Sequence, residues 1–156
     1  MPVAERDGAM MEAKRVVGKE ELEAAFRIRR TVFVEEQGVP LEDEFDEHEE
    51  QAEHILVYAE GQPVGTGRVR MVEGVAKLER ICILPAYRKH GLGKVIIRAL
   101  EEVAREQGST SAKLHAQTHA EGFYKKLGYS TASAVFMEDG IPHVLMVKTL
   151  SEASSR

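Results

Sequence analysis

The chain has 156 residues, a formal net charge of -5, 43% apolar and 30% charged residues, and one cysteine, Cys82. This length predicts one domain with a buried core, and the acidic balance argues against a general nucleic-acid binder. A single cysteine excludes an internal disulfide and a cysteine-rich zinc site. No apolar run nears the ~20 residues of a membrane span, and Met1–Met11 lacks a secretory apolar core. The expectation is a soluble cytoplasmic protein with no nucleic-acid or membrane partner.

Met1–Glu12 is aperiodic and reads as a flexible leader, followed by a short strand at Lys14–Val17 that Gly18 closes. From Lys19, the residues Leu22, Ala25, Phe26, Ile28 and Arg29 share one side of a helix. Thr31–Glu36 is rich in β-branched residues, yet its position predicts a second, kinked helix ended by Gln37–Pro40. Glu42–Glu50 is strongly acidic. It reads as a solvated loop, or as a wall that attracts a cationic substrate. His54–Ala59, Val64–Val72 and Val75–Leu84 are strands joined by tight turns, an antiparallel meander in which Gly65 and Gly67 mark a bulge or a close backbone approach.

The stretch Lys77–Gly108 organises the rest. Its strand is halted by Pro85, which lacks a ladder donor. The turn Arg88-Lys89-His90-Gly91-Leu92-Gly93 follows, and then an amphipathic helix, Leu92–Gln107, stopped by Gly108. The first N–H groups of a helix have no intrahelical partner, and the helix dipole adds partial positive charge there. With Arg88, Lys89 and Lys94 beside it, this turn is suited to a phosphate-bearing ligand. Ala112–Ala116 is the next strand, parallel to the one before the helix by the right-handed crossover rule. Thr118–Leu127 reads as a short helix with Gly128 after it. Ser130–Met137 and His143–Leu150 form a hairpin across Glu138-Asp139-Gly140, and Ser151–Arg156 is a polar tail. The fold class is α+β around one mixed sheet.

The turn at Arg88–Gly93 resembles the Arg/Gln-x-x-Gly-x-Gly/Ala pattern of the GNAT superfamily of acyl-CoA-dependent N-acyltransferases. Its context carries the resemblance: a strand and Leu84-Pro85-Ala86-Tyr87-Arg88 before it, an amphipathic helix after it, and Gln117–Tyr129 ending in Phe123-Tyr124 and Gly128-Tyr129. Arg30–Gln37 and the acidic Glu42–Asp46 are similar to the small bacterial YjcF-like and ElaA-like subgroup. The resemblance spans Lys14–Leu150 and implies one GNAT domain over residues 1–156. It further implies a mostly antiparallel sheet, flanked by helices, whose two parallel central strands splay apart. It implies acetyl-CoA as co-substrate, with no metal, and a small amine as acceptor. The pyrophosphate would sit on backbone N–H groups of Arg88, Lys89, His90, Gly91, Leu92, Gly93 and Lys94. The pantetheine arm would pair with Ile81, Cys82 and Ile83, and Gln117 stands where relatives often carry asparagine. A Cβ at Gly91 or Gly93 would crowd that approach. Relatives are often dimers, and the Ser130–Leu150 hairpin offers an edge for a homodimer.

Direct attack of an amine on a thioester needs a base for the ammonium, stabilisation of the developing oxyanion and an acid for the thiolate. Tyr124, on the family's Phe-Tyr position, is the candidate acid and a further cofactor contact. Glu79 and His115 are candidate bases. Glu79 shares a strand face with Ile81 and Ile83 by alternation, or else pairs with Arg68, Arg70 or Arg80. His115 lies on the partner strand near the gap, with His48, His54 and His119 as competitors. Cys82, in an apolar strand with no base beside it, reads as a core residue rather than a nucleophile. No His/Asp/Glu spacing suggests a metal. The reading that follows is an N-acetyltransferase acting on a small, cationic or amino-sugar-like primary amine. Its alternatives are a CoA-binding module without transfer activity and an acetyltransferase of protein lysines or N-termini.

Overall fold

A computed structural model describes residues 3–6 and 9–150. Nine strands form one sheet: β1 (Val3–Arg6), β2 (Ala9–Arg15), β3 (Glu53–Ala59), β4 (Gln62–Val72), β5 (Val75–Ile83), β6 (Ser111–Gln117), β7 (Ser130–Thr131), β8 (Phe136–Glu138) and β9 (Ile141–Thr149). They pair in the order β1-β2-β3-β4-β5-β6-β9-β7, with β8 also on β9. Only β5 and β6 are parallel, as the strand–helix–strand reading requires.

Alternation sorts the strand residues between two layers of helix. Ile55 and Val57 of β3 join the core under helix α3 (Leu92–Glu106), which buries Ile96, Ile97, Leu100 and Val103 completely. Leu56 points the other way and joins Cys82 beneath helix α1 (Lys19–Arg29), against Ala24, Ala25 and Ile28. Helix α3 can lie this close because β4 offers glycine. A Cβ built on Gly67 would stand 2.9 Å from both Ile96 and Leu100. Glu101, fully buried on α3, accepts hydrogen bonds from Tyr129 Oη at 2.8 Å and Lys148 Nζ at 3.0 Å, tying the helix to β9.

Helix α1 runs without a break into a π-helical segment, Arg30–Glu36, since Arg30 keeps helical dihedrals. The wider winding shows in the bond from Gln37 N–H to the Val32 carbonyl, 3.1 Å long and five residues apart. Thr31–Glu36 is thus helical as predicted, and packing overrides its strand propensity: Val32 is buried with Ala25, Ile28 and Cys82. A one-turn helix α2 (Leu41–Glu44) follows.

Three expectations shift. Within the stretch read as a leader, Val3–Arg6 and Ala9–Arg15 pair as antiparallel strands, and the first core strand is Ala9–Arg15 rather than Lys14–Val17. Edge pairing onto β3 needs only backbone groups and two apolar side chains, Met11 and Ala13, both buried, so periodicity alone is a weak guide there. The Thr118–Leu127 helix divides into a 3-10 turn, Thr118–Ala120, and helix α4 (Glu121–Lys126). The expected strand Ser130–Met137 divides into β7 and β8, and the hairpin turns on Asp139 and Gly140 alone, both at positive φ, with Glu138 paired to Ile141 rather than in the turn. The expected tail, 151–156, lies outside the described residues.

Candidate active site

The strands β5 and β6 are paired only at Ala76–Leu78 with Ala112–Leu114. Beyond that point β5 continues on β4 and β6 continues on β9, so the facing edges of Glu79–Ile83 and His115–Gln117 diverge. The cause is a bulge. The β4–β5 register passes from Arg68 opposite Glu79 to Thr66 opposite Cys82, leaving Arg80 and Ile81 across from Gly67 alone. Arg80 takes a left-handed conformation, φ 58°, which is costly for a residue with a side chain. The bulge also breaks the alternation that would have set Glu79 on one face with Ile81 and Ile83.

A cleft of about 640 Å³ occupies this opening. At one end lies the turn before α3. Its N-cap Gly91 has φ 78° and Lys89 has φ 71°, so alternate left-handed residues fold the backbone into a concave nest at the helix start. Arg88, Lys89, Gly91, Leu92 and Gly93 line the cleft, while His90 and Lys94 belong to the same turn outside the lining. Arg88 is held by Glu36 of the π-helical segment through two bonds of 2.6 and 2.7 Å, and it donates a third to the Ile83 carbonyl at 3.0 Å. The space over Gly93 is used by the protein itself. A Cβ there would lie 2.9 Å from the ring of Phe123, so the clash is with a side chain of α4.

In the middle, the free edge of Ile81–Ile83 faces Phe123 and Tyr124 of α4. Tyr124 is nine-tenths buried, with its ring edge-on to Phe123 and Tyr129. Burial pushes its phenol up to about 12, so it keeps its proton at neutral pH. Burial likewise drives the Cys82 thiol far above its ordinary value, which agrees with a core role. Gln117 lines the cleft and is engaged by Gln37 at 3.1 Å and His119 at 2.8 Å.

At the far end, His115 Nδ1 lies 2.8 Å from Glu138 Oε1, and Glu138 stands between it and His143 Nε2, 3.8 Å away. The His115 hydrogen bond, reinforced by both ring charges when present, lowers the Glu138 carboxyl against its burial. With Nδ1–H given to Glu138, the His115 Nε2 is left to accept a proton. His54, by contrast, is buried against the Glu49 carbonyl away from the cleft lining. Glu138 and His143 escaped the sequence reading. The cross-strand pairs Gln117 with His143 and His115 with Leu145, set by the hairpin register, bring them to β6, and residues 138–140 read simply as a turn.

The acidic segment is solvated only in part: Glu42, Asp43, Glu47 and Glu50 are exposed, while Glu44, Asp46 and Glu49 turn inward to arginines. Glu44 is buried and bonded to Arg29 at 3.0 Å, and Glu49 binds Arg29 at 2.7 Å and Arg68 at 2.9 Å. Asp46 takes both Arg68 amino groups at 2.9 and 3.0 Å. Glu79 is bonded by Arg68 at 2.9 Å, Arg70 at 2.8 Å and Lys77 at 3.0 Å. Burial alone would raise Glu79, but bonds from Arg70 and Lys77 and the Arg68 charge outweigh it and hold the carboxyl at about 2. The ion-paired alternative for Glu79 therefore describes it, and a carboxylate so held is a poor proton acceptor at neutral pH. Among the described residues no group of three or more His, Cys, Asp or Glu is arranged to hold a metal. Among the described residues no helix is long and apolar enough to cross a membrane.

The sheet is mixed and opens between two parallel strands, and a helix start suited to an anion stands at one end of the opening. The chain belongs to the GNAT acetyltransferase family: the family's domain, described as "Acetyltransferase (GNAT) domain", matches residues 13–150. Two Bacillus subtilis relatives are similar over most of their length. The protein YyaT is 60% identical over 144 residues, covering 90% of this chain and 97% of its own. YjcF, named as an uncharacterized N-acetyltransferase, is 49% identical over 138 residues, covering 86% and 99%. Among solved structures, Escherichia coli ElaA superposes with a TM-score of 0.79 at 26% identity, covering 89% of this chain and 99% of its own. An acyl-CoA N-acyltransferase from Pseudomonas aeruginosa gives 0.79 at 28% identity with the same coverage.

Proposed function

We propose that the protein transfers the acetyl group of acetyl-CoA to the primary amine of a small acceptor, by direct attack with both substrates bound. The observation that carries this reading is the single cleft that joins the Gly91 turn, the free edge of Ile81–Ile83, Tyr124 and His115. The residues present fit a CoA-type ligand. The nest at Lys89–Gly91 offers N–H groups to a pyrophosphate, and the unpaired β5 edge offers donors and acceptors to an extended amide-bearing arm. When bound, acetyl-CoA supplies the activated acyl group as a thioester.

The chain's own residues do the rest. Backbone groups of the bulged strand fix the position of the reacting carbonyl, where orientation is worth more than any single side chain. His115, aligned by Glu138, accepts a proton from the acceptor ammonium, directly or through water. Tyr124, kept protonated by burial, gives its proton to the departing sulfur. A cleft of about 640 Å³ that also holds the end of the cofactor leaves room for a small amine, which favours a small-molecule acceptor over a protein surface.

Isothermal calorimetry with acetyl-CoA tests the cofactor half of this reading, and absence of heat at millimolar cofactor would sink it. Thiol release across a broad amine panel tests the transfer half. Cofactor binding without thiol release from any amine would instead mark a CoA-binding module.

A further inference from the structure

The far end of the cleft is electrically two-sided. On the β8–β9 side, Glu138 and Asp139 line it with His115. On the β5 side stands Arg80, lifted into the opening by the bulge. Arg80 belongs to an ion network in which five cations (Arg29, Arg68, Arg70, Lys77, Arg80) meet four carboxylates (Glu44, Asp46, Glu49, Glu79). Three of the cations, Arg68, Arg70 and Lys77, share Glu79, and Glu44 and Asp46 are each shared by two arginines.

Arg80 is the cation this network holds most loosely. Arg29 and Arg68 hold their carboxylates at 2.7 to 3.0 Å and are 1% exposed. The Arg80 contacts are all long, 3.3 Å to the Glu44 carboxylate, 3.3 Å to the Glu44 carbonyl and 3.4 Å to Asp46. Its side chain is 22% exposed, and Arg80 lines the cleft. Both carboxylates it touches already have a closer arginine, Arg29 for Glu44 and Arg68 for Asp46. Arg80 is also the residue that pays the backbone strain of the bulge, φ 58°. Left-handed strain held by a loosely paired, cleft-lining arginine is the signature of a side chain aimed at a ligand rather than at the fold.

Position fixes what that ligand can be. The last paired residues of the parallel strands are Leu78 and Leu114. His115 is the next residue on one strand, and Glu79 and Arg80 are the next two on the other. An acceptor whose amine lies by His115 thus has Arg80 on the other strand of the same cleft.

We propose that Arg80 is the anion-binding residue of the acceptor site and that the acceptor is an amino acid, its amine toward the His115–Glu138 wall and its carboxylate on the Arg80 guanidinium. The planar fork of arginine matches a carboxylate in two-point contact. This inference rests on the acetyltransferase reading, and it replaces the cationic acceptor that the acidic segment suggested, because Glu44, Asp46 and Glu49 are each held by a closer arginine, Arg29 or Arg68.

The test is calorimetric titration of the CoA-loaded protein with α- and ω-amino acids, each beside its carboxamide and its decarboxylated amine. At least one amino acid is expected to bind about tenfold or more tightly than its carboxamide, the scale of a charge-assisted contact. The Arg80→Gly variant keeps the bulge, since glycine accepts φ 58°, and leaves Glu44 and Asp46 with their closer arginines. It should lose that preference while still loading CoA in the same titration, and Arg80→Asn, which also tolerates a left-handed backbone, should match it. Equal binding of acids and carboxamides, a preference that survives in Arg80→Gly, or a panel in which nothing binds would each overturn the inference. Because these readouts need no turnover, they stand apart from the thiol-release assay that decides the transferase reading.

Discussion

The two ends of the cleft are built on different physics. The Gly91 end is made by neighbours in the chain: a strand, a six-residue turn and a helix, and it presents backbone N–H groups and two left-handed residues. The Arg80 end is made by residues from α1, α2, β4, β5 and the β8–β9 hairpin, with bonded partners up to 36 positions apart in the ion network, and it presents side chains. A backbone site tolerates change in most of its side chains and fails when its conformation is blocked. A side-chain site fails when one partner of a buried set is removed. On the proposed function, the contrast implies that the cofactor end can stay constant while the acceptor end varies.

The sharpest way to break the far end is Arg68→Met. Arg68 is 1% exposed and serves Asp46, Glu49 and Glu79, so its loss takes a close cation from three carboxylates at once and leaves Asp46 only the longer contact to Arg80. Stability should fall by about 3–5 kcal/mol, read by denaturant unfolding. A loss within about 0.5 kcal/mol would show the network to be solvated in solution.

At the near end, Gly91→Val should raise the dissociation constant for acetyl-CoA by about tenfold or more, because a β-branched residue resists φ 78° and the nest is lost. Calorimetry on the folded variant reads this directly, and an unchanged constant would detach the turn from the cofactor.

Between the ends, Tyr124→Phe should lower kcat by about a hundredfold with the cofactor constant unchanged. Unaltered turnover would remove the phenol from the reaction. His115→Gln and Glu138→Gln should each lower turnover by a smaller factor, about tenfold for the glutamate, whose part is to align the ring. Equal activity in both variants would show that water carries the proton without them.

The smallest effect is in acid. Glu79 has a folded pKa of about 2 against an ordinary 4.5, so the unfolded chain binds more protons between those values. Its contribution to stability is complete above about pH 4.5 and is lost as pH falls toward 2. Asp46 and Glu49, also lowered by their arginines, add in the same direction. The wild type should thus lose stability steeply on acidification in that window, and Arg68→Met should show a shallower slope by acid titration of the far-UV signal.

What was legible in the sequence follows the same division. The Arg88–Gly93 turn, its helix and the β3–β4–β5 meander were readable because their chemistry is local: glycine, proline and apolar period determine them within a few residues. The ion network was not. Nothing in Glu42–Glu50 reveals that Arg29, Arg68 and Arg80 will meet it, since such contacts depend on register and on how α1 crosses the sheet. The bulge was half legible. Gly65 and Gly67 marked a bulge or a close approach on β4, but nothing local said that the extra residue would be Arg80 on β5. Glu138 and His143 reach the cleft through hairpin register alone, which a turn signal locates but does not orient.

The short β5–β6 joint has a mechanical side. The sheet is continuous across its middle through only three residue pairs, Ala76–Leu78 with Ala112–Leu114, so strands β1–β5 and β6–β9 behave as two plates sharing a narrow seam that α3 braces from one side. Plates joined in this way flex about the seam, and the widest excursion falls at Ile83 and Gln117, where the opening is greatest. An extended molecule bonded along Ile81–Ile83 would act as the missing strand and stiffen the joint. Amide hydrogens along that edge should therefore exchange quickly in the free protein and slow markedly when acetyl-CoA is present, while those of β3, clasped on both edges, remain unchanged.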